Sequence, residues 1–384
     1  MTDDPRRVLD WITAQQVWMR ETIEALVRLE SPSEDKAAVD RCGVELASRL
    51  QKIGARVETI EQPVRGDHIR ARCGDGQPQV LLLGHFDTVW RVGEIERMPL
   101  QEKSGRLYGP GVFDMKAGIV LAMLATRAIF ETDAASRRPS VVMLWTTDEE
   151  IGSGTSRALI EEEARRSRAV LVLEPSLPGG AAKTSRKGCG DFELTVHGVA
   201  AHAGIDPRQG ASAIHELALQ IAAIQQLQDL DRGISVNIGL IRGGTRTNVV
   251  AERAQASIDV RVPTMKDAGE IARALRSLQP RTPGTRLELT GGFSRPPLER
   301  SEHVQGLYEI AREAAAEFGV ALEEGSTGGG SDGNFTAALG VPTLDGLGPR
   351  GDGAHALHEH VELSDLPWRA AFLACLIGRL AEVK

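Results

Sequence analysis

Four short and almost entirely apolar runs constrain the fold of this chain more than any other feature of its sequence. They are QVLLLGH (79–85), SVVMLWTTD (140–148), AVLVLEP (169–175) and VPTLDGLG (341–348). Strands that are apolar on both sides must be covered on both faces, which is typical of parallel strands between layers of helices. Helical stretches flank the runs, over residues 6–53 with a break at SPS and most clearly over 117–130. The pattern predicts an α/β fold with a mostly parallel sheet.

The middle of the chain has a different pattern. From Gly190 onward the strands alternate between apolar and polar residues, as in DFELTVHGV and RAQASIDVRV, and RLELTGGF closes the set. Alternation indicates a sheet with one packed face and one solvated face. Helical stretches near 211–228 and 266–278 separate these strands. We therefore predict an α+β domain of residues 188–297 inserted into a discontinuous domain of residues 1–187 and 298–384.

Length, charge and cysteine content limit the class of protein. A chain of 384 residues exceeds one ordinary core, which favours two domains. A net charge of −8 argues against nucleic acid or an anionic membrane as a partner. The start of the chain lacks the order of a secretory signal, and no apolar stretch approaches the roughly 18 residues of a membrane span. Four scattered cysteines indicate free thiols, so a cytoplasmic location is expected.

Strong metal ligands fall near the ends of the apolar runs. These residues are His85, Asp87, Asp114, Glu149, Glu150, Glu174 and His355. Open α/β sheets bind ligands at the carboxyl ends of their strands, where most of these residues lie. Two imidazoles and several carboxylates suit zinc or a similar divalent ion. One zinc ion with three ligands would leave carboxylates over, whereas two ions about 3.5–4 Å apart, bridged by one carboxylate, would use all of them.

Each of these features alone has a simpler interpretation. A lone His-x-Asp is most often structural, and an adjacent pair of glutamates is usually a solvated turn. Asp114 could merely cap the helix that begins near Lys116. The order of the residues and their position at strand ends together favour a metal site. Two cations would also stabilise the adjacent carboxylates of Asp148–Glu150, which otherwise repel one another.

A set of motifs in this order resembles a known family. The motifs are GHFDTV, YGPGVFDMKAG, TDEEIGSGTSR, EP, GVAAHAG, TNVV, IDVRV, GGGSDGN and GAHALHEH. The chain resembles the dinuclear-zinc peptidases of clan MH, which include glutamate carboxypeptidase, aminoacylase, succinyl-diaminopimelate desuccinylase and carnosinase-type dipeptidases. The match extends over nearly the whole chain and is nearest to the bacterial glutamate carboxypeptidases.

The resemblance implies two zinc ions per subunit, for which Co²⁺ or Mn²⁺ could substitute. One ion would be held by His85 and Glu174, and the other by Glu150 and His355, with Asp114 bridging both. His355, His358 and His360 are closely spaced, and the spacing to Glu359 favours His355 as the ligand.

The same resemblance implies roles for the residues beside the ligands. The peptide bond between Asp114 and Met115 would be cis. Asp87 would orient His85 from behind. Glu149 would be the general base, which takes a proton from the metal-bridging water and then protonates the leaving amine.

The inserted domain resembles the family's ferredoxin-like lid and dimerisation domain, which implies a homodimer. His202 would reach the partner's active site and stabilise the oxyanion of the tetrahedral intermediate. Asn248 and Arg261 would bind the free carboxylate of the substrate, because a guanidinium pairs with a carboxylate in a two-pronged way. Without the resemblance, His202 would be interpreted as a surface histidine and Arg261 as an exposed strand arginine.

Two further groups would contact the substrate. The glycine-rich loop 328–334, with Gly329 and Gly330, would allow a close approach of the backbone. Lys183 and Lys187 would contact an acidic side chain of the substrate. Without the resemblance, the glycines would simply form a flexible surface loop.

The sequence therefore predicts a zinc hydrolase that cleaves an amide bond in a small peptide or N-acyl amino acid. The leading interpretation is a carboxypeptidase that releases a C-terminal glutamate or a similar residue. The alternatives are an N-acyl amino acid deacylase or dipeptidase, a metal-binding dimer without catalysis, and a two-metal phosphatase. The presence of Glu149, His202 and every candidate ligand disfavours the inactive dimer.

Overall fold

The computed structural model describes residues 5–132 and 139–382. The chain divides into two compact units. The first comprises Met1–Thr184, Arg300–Ser326 and Ser331–Lys384, and the second comprises Ser185–Glu299 and Thr327–Gly330. The assignment of residues 1–187 and 298–384 to a catalytic domain and of 188–297 to a lid domain stays a prediction, because compactness does not reveal the role of a unit.

A six-stranded sheet forms the centre of the first unit. Its spatial order is Arg56–Ile60, His68–Cys73, Ser140–Thr146, Gln79–His85, Ala169–Val172 and Thr343–Leu344. The last four strands run parallel to one another, and the first two are antiparallel to their neighbours. These four parallel strands are the four apolar runs of the sequence, so the predicted α/β class with a mostly parallel sheet is confirmed.

Helices cover both faces of this sheet. The helices of the unit are Pro5–Ala14, Gln16–Arg28, Lys36–Lys52, Ala117–Glu131, Arg157–Arg165, Glu302–Ala316, Gly333–Ala338 and Leu366–Glu382. Leu82 and Met143 point into one core, shared with the helices at Leu121 and Phe372. Their strand neighbours Leu81 and Val142 point into a second core on the opposite face. Burial on both faces explains why the runs are apolar without alternation.

Short strands connect the loops of the first unit. Gln101–Lys103, Arg106–Tyr108, Gly351–Asp352 and His360–Glu362 form a small sheet in which His360 pairs with Tyr108. A two-stranded sheet consists of Ala182–Arg186 and Glu324–Thr327. The small sheet holds the segment around His355 beside the segment that precedes Asp114, which matters for the site. Nothing in the sequence pattern predicts it, because its strands are only two or three residues long.

The second unit has a four-stranded antiparallel sheet with the ferredoxin-like connection. Along the chain its elements are Gly188–His197, Ala213–Gln225, Ser235–Gly243, Arg253–Val262, Met265–Arg276 and Arg286–Arg295, a strand–helix–strand–strand–helix–strand order. In space Arg253–Val262 and Gly188–His197 are central. Strand Arg253–Val262 alternates in burial as predicted, with Ile258 and Val260 in the core.

The sequence did not predict strand Ser235–Gly243. It lies at an edge of the sheet and is mostly exposed after Val236. Its pairing register shifts between Ile238 and Leu240, which is a β-bulge. An edge position and a bulge both disrupt alternation, so the strand has no period-two signal. Within the described residues, no helix is both long enough and apolar enough to cross a membrane.

Candidate metal centre

His85 lies at the carboxyl end of strand Gln79–His85, in which every residue is buried. Its Nδ1 is 3.0 Å from the backbone oxygen of Asp87 and 3.4 Å from Oδ1 of the same residue. Its Nε2 is 3.3 Å from Asp114 Oδ1 and 3.4 Å from Glu174 Oε1. Glu174 follows the neighbouring parallel strand Ala169–Val172 and is also buried. The parallel strands thus bring a histidine and a glutamate to one edge of the sheet.

Asp114 faces two histidines at once. Its other oxygen, Oδ2, is 3.5 Å from Nε2 of His355. The peptide bond between Asp114 and Met115 is cis, as the resemblance implied. The irregular turn Val112–Lys116 leads directly into helix Ala117–Glu131. Asp114 therefore lies between the two imidazoles, where a bridging ligand would be.

A second cluster lies on the His355 side of Asp114. His355 Nε2 is 3.2 Å from Glu150 Oε2, and Glu150 is in the short turn Glu149–Ile151 that follows strand Ser140–Thr146. His355 adopts a positive φ of 61°, uncommon for a residue other than glycine. His358 and His360 are in neither cluster. The structure thus brings His355 close to Asp114, and its role as a ligand stays a prediction.

These residues fit two divalent ions. His85, Asp114 and Glu174 form one group of donor atoms within 4.8 Å of one another, and Asp114, Glu150 and His355 form another. Among the described residues, His85 Nε2, Asp114 Oδ1 and Glu150 Oε1 are buried without a hydrogen-bond partner. Buried polar atoms are normally satisfied, so unsatisfied atoms in both donor groups are consistent with a bound ion at each. Mixed imidazole and carboxylate donors suit zinc.

Burial and neighbouring charges shift the pKa values of the residues in both clusters. Burial lowers the pKa of His85, but the adjacent carboxylates of Asp114, Asp87 and Glu174 outweigh it and hold that pKa well above its usual range. Asp114 and Glu150 raise the pKa of His355 to about 10. Burial, together with the charge of Asp114, raises the pKa of Glu150. Metal ions bound here would therefore compete with protons for both imidazoles.

Asp87 contacts both the histidine ligand and the turn that carries the two glutamates. It is completely buried and accepts a hydrogen bond from Ser33 Oγ at 2.7 Å. The backbone N–H groups of Glu149 and Glu150 donate to its two oxygens at 3.4 and 3.3 Å. The side chain of Glu149 belongs to neither donor cluster and is partly exposed. Asp87 thus fixes the turn in which one glutamate faces the clusters and the other stays outside them.

Sequence reasoning missed two buried groups beneath the site. Asp148 accepts hydrogen bonds from the N–H and Oγ1 of Thr155, at 2.6 and 2.8 Å, which closes the loop after the glutamates. His68, fully buried, has its Nε2 3.0 Å from Thr155 Oγ1. Burial lowers the pKa of His68 against the opposing charges of Asp148 and Asp332. Asp148 was visible in the acidic triplet, but His68 gave no signal because its partners are distant in sequence.

A third missed group is Glu359, which is buried and accepts four N–H hydrogen bonds. Burial raises its pKa to about 7, and the hydrogen bonds from Asp114, Gly111, Trp90 and Phe113 oppose that rise. The sequence signal was its fixed distance from His355, which served only to choose among the three histidines.

The remaining predicted residues lie in both units. Lys183 belongs to the first unit, is buried, and its strand makes a bridge to Asp345. In the second unit, His202 is exposed and its Nδ1 accepts hydrogen bonds from Gly204 N and Ile205 N, both at 3.1 Å. Asn248 is exposed, and its backbone oxygen accepts a hydrogen bond from the residue after His202.

Arg261 and the first three residues of the glycine-rich loop, 328–330, also lie in the second unit. The guanidinium of Arg261 donates to both oxygens of Asp259, at 2.8 to 3.1 Å, and its Nη1 is 2.6 Å from Cys189 Sγ. A Cβ at Gly330 would be 3.1 Å from the same sulfur, so only glycine fits there without a shift. The backbone oxygens of Gly329 and Gly330 accept hydrogen bonds from Arg186.

Comparison with known proteins identifies the family. Residues 81–379 match the family model described as peptidase family M20/M25/M40. The chain belongs to this peptidase family. The family match agrees with the resemblance carried by the motifs, and it makes the chain a hydrolase of amide bonds.

Relatives of this M20/M25/M40 peptidase align over most of its length. It is 29% identical to carboxypeptidase G2 of Pseudomonas sp. strain RS-16, over 97% of this chain and 91% of that protein. It is 30% identical to the succinyl-diaminopimelate desuccinylase of Bordetella petrii, over 89% of this chain and 93% of that protein.

Solved structures share the fold. Aminopeptidase PepT of Bacillus cereus superimposes with a TM-score of 0.80 at 22% identity, covering 96% of this chain and 99% of its own. The YXEP protein of Bacillus subtilis, described as a dinuclear metal-binding peptidase of the M20 family, has a TM-score of 0.66 at 16% identity. It covers 97% of this chain and 100% of its own.

Proposed function

We propose that this peptidase is a two-zinc carboxypeptidase that releases a C-terminal glutamate or a similar residue. One observation carries the proposal: two three-donor clusters share Asp114, and Glu149 lies beside them without belonging to either. Two adjacent glutamates thereby have different surroundings, as a ligand and a base require. The relationship to carboxypeptidase G2 supports the type of substrate.

The ligands of the proposed ions are His85 and Glu174 on one side, Glu150 and His355 on the other, and Asp114 between them. Bound there, two zinc ions would lower the pKa of a shared water and polarise the scissile carbonyl. Glu149 would act as the general base, taking a proton from the attacking water and delivering it to the leaving amine nitrogen. Asp87 holds His85 from behind and anchors the backbone of the Glu149–Glu150 turn.

We assign His202 to the oxyanion of the tetrahedral intermediate. Because two backbone N–H groups donate to its Nδ1, the neutral ring must carry its proton on Nε2. That leaves Nε2–H as a donor with a fixed orientation, which is what an oxyanion requires. In the proposed homodimer, this donor would serve the partner's site.

Asn248 and Arg261 would bind the free carboxylate of the substrate. Asp259 accepts hydrogen bonds from Nε and Nη2 of Arg261 and fixes the orientation of its guanidinium, so a substrate carboxylate would have to use the remaining N–H groups. The Gly329–Gly330 backbone would approach the substrate closely. Lys183 would contact an acidic side chain of the substrate.

Two observations support a homodimer formed through the second unit. Edge strand Ser235–Gly243 exposes Leu240 and Ile241, by 58% and 60%. Ile214 is 48% exposed and lies against the end of that strand at Gly243 and Gly244. An edge strand with apolar side chains is a surface on which a second strand can pair. Four free, buried cysteines fit a reducing compartment, so we propose a cytoplasmic location.

A second candidate is an N-acyl amino acid deacylase. The relationship to succinyl-diaminopimelate desuccinylase favours it, at 30% identity over most of both chains. The same residues would perform the same chemistry, and only the group on the acyl side of the scissile bond would differ.

Release of amino acids from a panel of substrates tests the proposal. Zinc-loaded protein is incubated with blocked dipeptides that vary in the C-terminal residue and with N-acyl amino acids that vary in the acyl group. We expect kcat/KM to depend most on the C-terminal residue, with glutamate or aspartate preferred. Dependence on the acyl group would favour the deacylase, and no release by protein with two bound zinc ions would contradict hydrolysis.

A further inference from the structure

Glu359 is a buried carboxylate with an unusual number of donors. It is 1% exposed, although it is not among the proposed metal ligands. Its Oε1 accepts hydrogen bonds from the N–H groups of Phe113 and Asp114, at 2.9 and 3.1 Å. Its Oε2 accepts from Gly111 N at 2.9 Å and from the indole Nε1 of Trp90 at 2.7 Å. Each oxygen therefore accepts two hydrogen bonds.

These contacts join three segments that carry proposed ligands or lie close to them. Trp90 follows Asp87 by three residues, and Gly111, Phe113 and Asp114 form the turn of the bridging ligand. Glu359 itself follows His355 by four residues, in a turn closed by its own N–H to Ala356 O at 2.9 Å. One side chain thus connects the loop after His85, the turn of Asp114 and the turn of His355.

We propose that Glu359 is the positioning residue of the bridging ligand: its carboxylate holds the Asp114 turn in register with both histidine loops. This inference rests on the proposed function, because it presumes that Asp114 bridges two ions. The hydrogen bond from the N–H of Asp114 fixes the backbone nitrogen of the bridging residue itself. The hydrogen bond from the N–H of Phe113 fixes the backbone of the residue before it. Hydrogen-bonding groups behind a metal ligand typically change metal affinity by about 10–100-fold when they are removed.

The substitution Glu359→Gln removes hydrogen-bond acceptor capacity without changing the size of the side chain. Glutamine has the same shape, but its amide nitrogen carries two hydrogens and cannot accept a hydrogen bond. Whichever way the amide is oriented, two N–H donors of the site would face N–H groups instead of an oxygen. Because the site is buried, water cannot replace the lost acceptor, and the Asp114 turn must move.

Glu163→Gln is a matched control. Glu163 is completely buried and also accepts several hydrogen bonds, from Arg70, Arg72 and Gln79. Gln79 begins the strand that ends at His85, so the carboxylate of Glu163 lies at the opposite end of the strand from the ligands. Its loss should destabilise the fold without reaching the metal clusters.

The test measures the affinity for Zn²⁺ by competition with a chelator, and the visible absorption spectrum of the Co²⁺-loaded protein. We expect Glu359→Gln to bind both ions at least about tenfold more weakly and to change the Co²⁺ spectrum. Glu163→Gln should retain the wild-type affinity and spectrum. If Glu359→Gln does not fold, Glu359→Asp, which keeps the charge but shortens the reach, should show an intermediate loss of affinity.

Several results would overturn the inference. Wild-type affinity and an unchanged spectrum in a folded Glu359→Gln protein would exclude a positioning role. Equal losses of Zn²⁺ affinity in Glu359→Gln and Glu163→Gln would show that the affinity falls because the fold is less stable, not because Asp114 has lost its support. A wild-type protein that binds fewer than two ions would instead contradict the proposed function itself, so the two failures are distinguishable.

Discussion

At the scale of single residues, the two adjacent glutamates show how local geometry separates two roles. The N–H groups of both Glu149 and Glu150 donate to Asp87. Glu150 belongs to the donor cluster of His355, at 3.2 Å from its Nε2, whereas Glu149 is not a member of that cluster. The sequence could predict that something positive lay near these charges. It could not by itself decide which of the two would contact the ion, because both follow the same strand; that assignment came from the resemblance and stays a proposal.

The substitution Glu149→Gln tests this division. We expect turnover to fall by about 10²–10⁴-fold, because a positioned base contributes about that much and an amide cannot take a proton. The content of bound zinc should stay the same, because the side chain belongs to neither cluster. Steady-state rates and elemental analysis of the same samples provide both readings.

Glu162→Gln is the control for this prediction. Glu162 is an exposed carboxylate on helix Arg157–Arg165 and forms a surface ion pair with Arg166 at 2.5 Å. It should retain the wild-type rate. A Glu149→Gln protein with a wild-type rate, or one that has lost its zinc, would contradict the assignment of the base.

At the scale of elements, the sequence predicted the strands that have a clear hydrophobic pattern. It missed the strands that have none. The four apolar runs became four parallel strands because both faces of the sheet are buried, and their carboxyl ends brought the ligands together. Strand Ser235–Gly243 was missed because a bulge and an edge position remove alternation. The small sheet with His360–Glu362 was missed because its pairing is entirely long-range. The sequence therefore showed only the four-residue spacing between His355 and Glu359, and not the hydrogen-bond donors that surround Glu359.

The edge strand carries a prediction about assembly. Ile241→Lys should convert a dimer into a monomer, because it places a charge on the apolar edge that we propose to pair with a second copy. Sedimentation velocity over a range of concentrations measures the change, and zinc content should not alter. Val17→Lys, at a position 70% exposed on a helix of the other unit, should leave the association state unchanged. A wild-type monomer, or an Ile241→Lys dimer, would contradict the proposed interface.

At the scale of the whole molecule, the amino-acid composition and the order of patterns and motifs along the chain indicated much of the domain organisation and the family. The inserted α+β pattern was readable because its strands alternate, whereas those of the surrounding sheet do not. The negative charge pointed away from nucleic acid, and the family match makes the chain a peptidase-family hydrolase. The choice of substrate could not be predicted at this scale, because the residues that would select it, such as Arg261 and Lys183, have no pattern of their own.

We propose that one chain holds two metal ions through a shared aspartate, Asp114. Zinc content per chain after exhaustive dialysis, measured by mass spectrometry for the wild type and three variants, tests it most directly. We expect two ions in the wild type and about one in Glu174→Ala and in His355→Ala, because each removes a ligand of a single cluster. Asp114→Ala should lose both. A wild type with one ion, or an Asp114→Ala protein that retains two, would contradict the account.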